Sequence, residues 1–314
     1  MIREIEKKIE ETQNIDNVLE YGKRLESINP VDFEDVYSPE EIRKDLEHLD
    51  FVERKIENSK KKMNTQEREI YDINEKRSKA FEILLADQIY DGEWLGSEAM
   101  SIRASRFDDV LKGVDIVVEF DRESAIERIA LVVDASTTSD IDYIEKKIKR
   151  NIRRISEDFR PLEIKYFHSQ IRDENGEYFK GKIENLIPIV IGADSQNANR
   201  IFDIFSELIF LKNKTDNDSK ERCRWLKKKL STHPIQNIFL DQIEIQLEMY
   251  ISILNRKNRP ADDVEALLVI IKEVAEEKKA SGFSTSGEVN GDATLNNIQI
   301  ISQKYTQTKE SFTE

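Results

Sequence analysis

Cysteine and histidine are scarce in this 314-residue chain, which holds one cysteine, Cys223, and three histidines. A single cysteine excludes an intrachain disulfide and a thiolate metal cluster, and it agrees with a reducing compartment. The histidines, His48, His168 and His233, lie far apart in sequence and lack the spacing of zinc ligands. A zinc site would therefore need carboxylates for most of its ligands.

Long apolar runs are also missing. No window approaches the roughly 18 to 20 consecutive apolar residues that a membrane-spanning helix needs. The N-terminal segment MIREIEKKIEE contains no apolar stretch of the kind that a signal peptide requires. We therefore expect a soluble cytoplasmic protein with no membrane partner. Its hydrophobic content of 38% is sufficient for one large domain or two modest ones.

An excess of positive charge is absent too, because the formal net charge at pH 7 is -14. Proteins that coat nucleic acid through bulk electrostatic attraction are usually basic overall, so this class is disfavoured. A local basic groove stays compatible with the composition. Charged residues make up 36% of the chain, and we attribute most of them to the solvated faces of long helices.

Helical periodicity dominates residues 1–75. Apolar residues recur there three and four positions apart with charged residues between them, as in IREIEKKIEE. Ser38, Pro39 and Glu41 form a helix start, with serine as the N-cap, proline at the first helical position and glutamate as the reciprocal cap. We predict an N-terminal helical arm that pairs as a hairpin, or as a coiled coil with a second copy of the chain in a homo-oligomer.

A different pattern occupies residues 76–196. The helical segment EKRSKAFEILLADQIYDGEWLG precedes short runs rich in valine and isoleucine: MSIRAS, VDIVVEF, RIALVVDAS, PLEIKYFHSQI and IENLIPIVIGAD. A second helix, from Asp140 to about Glu157, separates the third run from the fourth. This order of a helix, three strands, a helix and two strands predicts an α/β core with a mixed β-sheet flanked by helices.

Helical patterns return over residues 197–280, and the composition changes after them. Residues 281–314 are rich in Ser, Thr, Gly and Asn and poor in large apolar residues, which predicts a flexible tail. Within this tail, NNIQIISQ is the one short stretch able to dock on another surface.

The segment KERCRWLKKK, Lys220 to Lys229, combines cations with Trp225. Such a combination is able to stack a base and to hold phosphates. The alternative is a solvated helix face that carries one half-buried tryptophan.

Two aspartates lie at the ends of two predicted strands. If VDIVVEF and RIALVVDAS form a hairpin that turns at DRESA, Asp115 lies opposite Asp134 and Val117 lies opposite Val132. Because side chains alternate faces along a strand, the two acids share one face of the hairpin. The other face is wholly apolar and must be core: Ile116, Val118, Phe120, Ile129, Leu131 and Val133.

The facing pair carries like charges, which destabilise a sheet when they lie directly across a strand pair. Two such carboxylates need a proton on one of them or a cation between them. Oxygen ligands without histidine or cysteine suit Mg²⁺ or Mn²⁺. The alternative is a slightly different register, in which both acids reach solvent at the strand ends.

The arrangement resembles the core of the PD-(D/E)XK nuclease superfamily. That core has a helix bearing a carboxylate, a strand with Asp, an adjacent strand ending in an acid, a helix and another strand. More closely, RFDDVLKGVDIVVEF followed by RIALVVDAST is similar to uncharacterised proteins of small-genome bacteria. The resemblance covers roughly Glu75 to Asp194. It implies a restriction-endonuclease-like core in which Asp115 and Asp134 bind Mg²⁺ or Mn²⁺.

The resemblance also implies a third acid and a reaction. Glu82 matches the helix carboxylate, and Asp87 and Glu93 compete with it for this role. In the family, the acids hold one or two divalent ions that activate water and stabilise the scissile phosphate.

One position departs from the family motif, which places a lysine two residues after the acid of the third strand. This chain has Ser136 there. Some members take the cation from a nearby helix, and DIDYIEKKIKRNIRR offers Lys146, while Lys165 on the following strand is a further candidate. The residues of that helix predicted to contact a nucleic-acid backbone are Lys147, Lys149, Arg150, Arg153 and Arg154. The alternative is an amphipathic helix whose isoleucines pack on the sheet and whose cations are solvated.

Three functions remain open from the sequence. The first is a metal-dependent nuclease that hydrolyses phosphodiester bonds in DNA or RNA. The second is a catalytically degenerate nuclease-fold protein that binds nucleic acid or protein. The third is a helical scaffold for assembly, in which the sheet is a packing platform.

Overall fold

The structure is a computed structural model that describes residues 2–25, 28–121, 130–156, 162–173, 175–281 and 291–307. Its helices are α1 (Ile2–Gly22), α2 (Pro39–Lys60), α3 (Thr65–Tyr90), α4 (Arg106–Lys112), α5 (Ile141–Ser156), α6 (Ser195–Leu211), α7 (Asn217–Ser231), α8 (Ile235–Arg256), α9 (Asp262–Ala280) and α10 (Ala293–Gln307). Its strands are β1 (Ala99–Arg103), β2 (Ile116–Phe120), β3 (Ala130–Ser136), β4 (Ile164–Arg172), β5 (Tyr178–Ile183) and β6 (Ile187–Gly192). Within these ranges, no helix combines the length and the apolar character needed to cross a bilayer.

Local capping defines where α2 begins. Ser38 Oγ accepts a hydrogen bond from the backbone N–H of Glu41 at 3.3 Å, and the Glu41 carboxylate accepts one from the backbone N–H of Ser38 at 3.2 Å. Pro39 occupies the first helical position. The reciprocal cap predicted from the sequence is therefore confirmed.

The described strands form two sheets. The larger sheet has the order β1-β2-β3-β6. Neighbours in β1-β2-β3 are antiparallel, whereas β6 is parallel to β3. The smaller sheet pairs β4 with β5 in antiparallel fashion. The predicted α/β class with a mixed sheet is thus confirmed.

The hairpin of β2 and β3 has the predicted register. Val117 pairs with Val132, and the last paired positions toward the two acids are Ile116 and Val133. The apolar face of the hairpin packs into the main core, a cluster that also contains side chains of α3, α5, α6 and α8. Ile129 and most of the predicted turn, from Arg122 onward, lie outside the described residues.

The opposite face of this hairpin is also buried. Val117 and Val132 pack against β4 in a second core. Glu119 shares this face, is 1% exposed, and accepts a hydrogen bond from Ser169 Oγ at 2.9 Å. Because protein covers both faces, the two aspartates lie at the end of a buried hairpin.

Helix α4 between β1 and β2 was not predicted from the sequence. Ser105 Oγ accepts a hydrogen bond from the backbone N–H of Asp108 at 3.1 Å and caps the helix start. Gly113 ends the helix in the left-handed region, at φ 65°, which glycine adopts without a Cβ penalty. A Cβ added at Gly113 would lie 2.9 Å from Nη1 of Arg150, so this glycine also allows α5 to approach closely.

The fourth and fifth apolar runs also differ from the prediction. PLEIKYFHSQI corresponds to β4, whereas IENLIPIVIGAD spans the end of β5 and all of β6. Most of β5, YFKGKI, was not recognised because its exposed aromatic residues and lysines lack the apolar content of a core strand.

The predicted boundaries at residues 75 and 281 can be compared with these elements. Residue 75 falls inside α3, and Val18 of α1 is fully buried in the main core. Helix α10 lies within the segment predicted as a flexible tail, and its residues Ile298, Ile301 and Tyr305 are buried. The tail prediction is therefore corrected for residues 293–307. The segment NNIQIISQ does dock, because Ile298 and Ile301 enter the main core.

Strand β6 lies at one end of the larger sheet, and two glutamines of α8 bind its backbone. Gln246 accepts from the backbone N–H of Val190 at 3.0 Å and donates to the Val190 carbonyl at 2.8 Å. Gln242 makes the same two contacts to Gly192, both at 2.8 Å. Both glutamines are fully buried. Their side-chain amides replace a neighbouring strand and satisfy the edge of the sheet.

We expect Gln246→Leu to lower the free energy of unfolding by roughly 2 to 4 kcal/mol. The substitution leaves the N–H and C=O of Val190 buried without partners, and each such group costs about 1 to 3 kcal/mol. Urea denaturation measures the change. Gln303→Leu, at an exposed position of α10, is the matched control and should stay within about 0.5 kcal/mol of the wild type. Equal effects of the two substitutions would contradict the role of Gln246.

Candidate functional site

Asp115 and Asp134 lie at the same end of the β2–β3 hairpin. Asp115 directly precedes β2, and Asp134 is in β3. The Asp115 carboxylate accepts a hydrogen bond from the backbone N–H of Ala135 at 2.7 Å. The side chain of one acid therefore contacts the residue that follows the other acid.

Burial and neighbouring acids raise the pKa of Asp115 well above its ordinary value. Burial is the largest cause, followed by the negative charges of Glu82 and Asp134. Lys147 acts in the opposite direction but does not offset these effects. Each of these effects disfavours the charged form of Asp115 in the folded chain.

Two cations of α5 hold the carboxylate of Asp134. Lys147 Nζ lies 2.5 Å from Asp134 Oδ1, and Arg150 forms an ion pair with Oδ2. The side chains of Lys147 and Asp134 are each 13% exposed, so this pair is largely removed from water. Burial is the largest single effect and lowers the pKa of Lys147, but Asp134, Tyr143 and Asp115 together outweigh it and the net shift is upward. Lys147 is therefore charged at neutral pH.

The six cations of α5 divide into two faces. Lys147, Arg150 and Arg154 lie at spacings of three and four residues on a partly buried face. Burial and the charge of Arg150 lower the pKa of Arg154 to about 10. The other face is exposed and carries Lys146, Lys149 and Arg153.

Helical geometry places Lys147, and not Lys146, beside Asp134. Ile144 and Ile148 are fully buried in the main core and fix the rotation of α5. That rotation points Lys147 toward β3 and leaves Lys146 exposed. The prediction of Lys146 as the cation beside the acids is therefore corrected.

Glu82 is the third acid of this region. It belongs to α3 and its charge acts on Asp115. Lys79 Nζ lies 3.0 Å from the Glu82 carboxylate and 3.3 Å from Asp109. Burial raises the pKa of Glu82, and the charge of Lys79 opposes this shift. We call Glu82, Asp115 and Asp134, with Lys147 and Arg150, the acid–cation cluster.

The other predicted residues lie elsewhere. Asp87 accepts a hydrogen bond from the Tyr21 hydroxyl at 2.6 Å, and the Glu93 carbonyl accepts one from Lys278. Lys165 Nζ is 2.6 Å from Asp45 of α2. The structure thus brings Glu82, and neither Asp87 nor Glu93, to Asp115. It also removes Lys165 from the site, because Lys165 is already paired with α2.

Sequence reasoning missed Lys79 and Asp109. Lys79 precedes Glu82 by three residues on one helix, a spacing that places the two side chains together and that the sequence does contain. Asp109 belongs to α4, which was not predicted, so no sequence signal connected it to Glu82. Both residues border a groove of about 470 Å³ whose lining also includes Lys76, Arg103 and Arg106.

A metal ion would find oxygen ligands in the acid–cation cluster. Within the described ranges, however, no three His, Cys, Asp or Glu side chains are grouped closely enough to hold one. Asp134 is bound to two cations, whereas Asp115 is adjacent to further negative charge. A divalent cation would therefore relieve repulsion at Asp115 and would compete with Lys147 and Arg150 at Asp134.

Comparison of the chain with protein-family models, with curated proteins and with solved structures gave no match. The function of the cluster must therefore be argued from its own geometry and charge.

The raised pKa of Asp115 predicts a pH-dependent gain in stability for Asp115→Asn. The folded state holds the Asp115 proton more tightly than the unfolded state, whose pKa is near 3.8. Wild-type stability therefore falls, by up to about 1.4 kcal/mol per pH unit, as the pH rises from the unfolded pKa to the folded pKa. Asn retains the acceptor for Ala135 and carries no charge. We expect the variant to be more stable than the wild type at pH 7 and equally stable below about pH 4.

Urea denaturation at several pH values, with a chelator present, measures this difference. Asp72→Asn, at an exposed position of α3, is the control and should show little difference at any pH. A constant loss of stability in Asp115→Asn across the pH range would contradict the assignment of a buried, repelled carboxylate.

Proposed function

We propose that this chain is a divalent-metal-dependent nuclease that hydrolyses phosphodiester bonds in DNA or RNA. The observation that carries the proposal is the convergence of Glu82, Asp115 and Asp134 beside cations of α5. Each acid comes from a different element, so their proximity is a property of the fold and not of the local sequence. These are also the three acids that the sequence resemblance assigns to catalysis.

The order of elements supports a restriction-endonuclease-like core within this proposal. Helix α3 is followed by the antiparallel strands β1, β2 and β3, then by α5, and later by β6 parallel to β3. The resemblance implies a helix, strands, a helix and a further strand in this sequence. Because one fold hosts many functions, this order adds to the argument from the site and does not replace it.

The donor set suits Mg²⁺ or Mn²⁺, because the acids offer only oxygen ligands. Asp115 and Asp134 would hold the ion, and Glu82 would contribute a further negative charge beside Asp115. The raised pKa of Asp115 supports this fit, since a nearby divalent cation would relieve the repulsion from Glu82. When bound, such an ion lowers the pKa of a water molecule and neutralises charge that develops on the phosphate.

Lys147 takes the role that the family motif assigns to the position of Ser136. Ser136 has an uncharged side chain and therefore offers no cation. It is buried, and its carbonyl accepts a hydrogen bond from the backbone N–H of Ala193. The Lys147 ammonium group lies at Asp134 and donates to the Ala135 carbonyl at 3.2 Å. Once Asp134 is a metal ligand, this ammonium group is able to donate to a phosphate oxygen. Arg150 stays beside it and adds positive charge for the same phosphate.

The groove of about 470 Å³ beside Lys79, which pairs with Glu82, would receive the backbone of an anionic substrate next to the acids. Four basic residues line it, Lys76, Lys79, Arg103 and Arg106, against the acids Glu75 and Asp109. Cations of this kind position a nucleic-acid backbone without reading its sequence.

A catalytically degenerate nuclease-fold protein that binds nucleic acid is the second candidate. The specific observation in its favour is that Lys147 and Arg150 already neutralise Asp134, as they would in a purely structural ion pair. Cleavage and binding assays separate the two candidates, because only the nuclease requires a metal ion for its effect on the substrate.

We expect purified protein to cleave single- or double-stranded DNA or RNA in Mg²⁺ or Mn²⁺. Asp134→Asn should reduce the rate by at least about 100-fold, because it removes a charged metal ligand. Gel assays on labelled substrates, with and without chelator, measure the rate. Asp72→Asn is the matched control and should cleave at the wild-type rate. Equal activity of wild type and Asp134→Asn would remove Asp134 from the mechanism, and absence of metal-dependent cleavage would favour the degenerate protein.

Lys147→Met should also reduce cleavage by about 100-fold, because it removes a cation from the reacting phosphate while it retains the apolar stem. Lys44→Met provides the control, since Lys44 is exposed on α2 and pairs with the exposed Glu40. Thermal unfolding of both variants separates a folding defect from a catalytic one. Full activity of a folded Lys147→Met protein would show that this cation is structural.

A further inference from the structure

The hairpin of α6 and α7 carries a positive surface in a strongly acidic chain. From Lys220 to Lys229 there are six basic residues and one acidic residue, whereas the whole chain has a net charge of -14. Arg224, Lys227 and Lys228 are exposed on α7. These cations differ from Lys147 and Arg150 of α5, which are bound to Asp134. The surface is therefore positioned to bind an anion from solution.

Two aromatic side chains are exposed on the same hairpin. Phe210 at the end of α6 is 65% exposed and Trp225 in α7 is 48% exposed. Phe210 is more exposed than any other large apolar side chain in the described ranges. Each ring has a cation nearby: Lys214 Nζ is 5.1 Å from the Phe210 ring and Arg222 is 4.2 Å from the Trp225 ring. Exposed rings between cations are the features that bind unpaired bases and the adjoining phosphates.

An ion pair across the hairpin holds a cation beside the tryptophan. The Arg222 guanidinium group donates to both carboxylate oxygens of Glu207, at 2.6 and 2.8 Å. The Arg222 guanidinium group is thereby held beside the Trp225 ring. Lys229 Nζ lies 5.2 Å from the centre of the same ring. A preformed ring costs less side-chain entropy when a base stacks on it.

The ion pair between Arg222 and Glu207 also indicates where the two rings lie. Phe210 follows Glu207 by three residues and Trp225 follows Arg222 by three. Each ring therefore lies on the same helix face as one residue of the ion pair. The chain reverses direction between α6 and α7, which places the rings on opposite sides of the ion pair. At 1.5 Å of rise per residue they are roughly 9 Å apart along the hairpin. One strand is able to reach both rings.

We propose that the α6–α7 hairpin binds single-stranded nucleic acid, with bases stacked on Trp225 and Phe210 and phosphates held by Lys228 and Lys229, which follow Trp225 by three and four residues on the same helix face. The identity of the ligand as nucleic acid rests on the proposed function. The exposed aromatic rings select a single strand, because bases within a duplex are already stacked and paired. An acidic polypeptide shares only the charge and would not need the rings, whereas an anionic membrane would use both the charge and the rings, so lipid vesicles are one arm of the test.

Binding is measured by fluorescence anisotropy of labelled oligothymidine and oligouridine in chelator, so that no cleavage occurs. Trp225→Leu should weaken binding by roughly 5- to 150-fold, and Trp225→Phe should restore most of the loss. Intrinsic fluorescence gives a second readout, because the chain has two tryptophans and Trp94 is fully buried. The oligonucleotide should quench the wild type and leave Trp225→Leu unchanged.

Salt dependence tests the phosphate contacts separately. The double variant Lys228→Gln/Lys229→Gln should reduce the slope of log K against log salt by about 1.4, since each phosphate contact on a single strand contributes about 0.7. Lys61→Gln/Lys62→Gln, an adjacent exposed pair beyond α2, is the matched control and should keep the wild-type slope. Unchanged affinity in Trp225→Leu would overturn the proposal. Equal binding to polyglutamate or to phosphatidylserine vesicles would also overturn it.

The two proposals fail in distinguishable ways. Binding that depends on Trp225, without metal-dependent cleavage by any form of the protein, removes the nuclease activity and retains this surface. Cleavage by the wild type that is unaffected by Trp225→Leu, with oligonucleotide binding also unaffected, removes this surface and retains the activity.

Discussion

The burial of Asp115 beside two further acids is the constraint on which the site depends. A carboxylate withdrawn from water and placed near Glu82 and Asp134 raises the free energy of its charged form. Two features lessen this repulsion: the pKa of Asp115 is raised, which disfavours its charged form, and two cations of α5 bind Asp134. Each feature is local, and together they allow a cluster of acids to exist at the end of a hairpin that is buried on both faces.

Packing of α5 connects this charge balance to the hydrophobic core. Ile144, Ile148 and Ile152 are buried and set the rotation of the helix about its axis. With that rotation fixed, a helix that presents cations around much of its surface delivers only Lys147 and Arg150 to Asp134. Gly113 contributes as well, since a side chain there would collide with Arg150. The acid–cation cluster is therefore positioned by apolar contacts and by one glycine, and not only by the attraction between charges.

The parts of the fold that the sequence predicted are those controlled by strict local rules. Alternation along β2 and β3 gave the register and the core face, and the Ser38–Glu41 pair gave the start of α2. Helix α4 was missed because its seven residues make only about two helical turns, which is too short for an apolar periodicity to be recognised. Helix α10 was missed because most of its residues are polar, and only three large side chains, Ile298, Ile301 and Tyr305, are buried in it. The choice of Lys147 over Lys146 needed the three-dimensional packing of α5, since neighbouring lysines are equivalent in sequence.

The cations of this chain differ in whether an external anion is able to reach them. A cation that is buried against an acid stabilises the folded chain and is not available to an external anion unless that acid acquires another partner. Lys147 is in this position, so its use on a phosphate requires a metal ion at Asp134. An exposed cation such as Lys228 has no such requirement. In the proposed nuclease, a polynucleotide would therefore be held first by the exposed surface and would engage the buried cations only at the acids, so that binding and reaction would take place at separate positions.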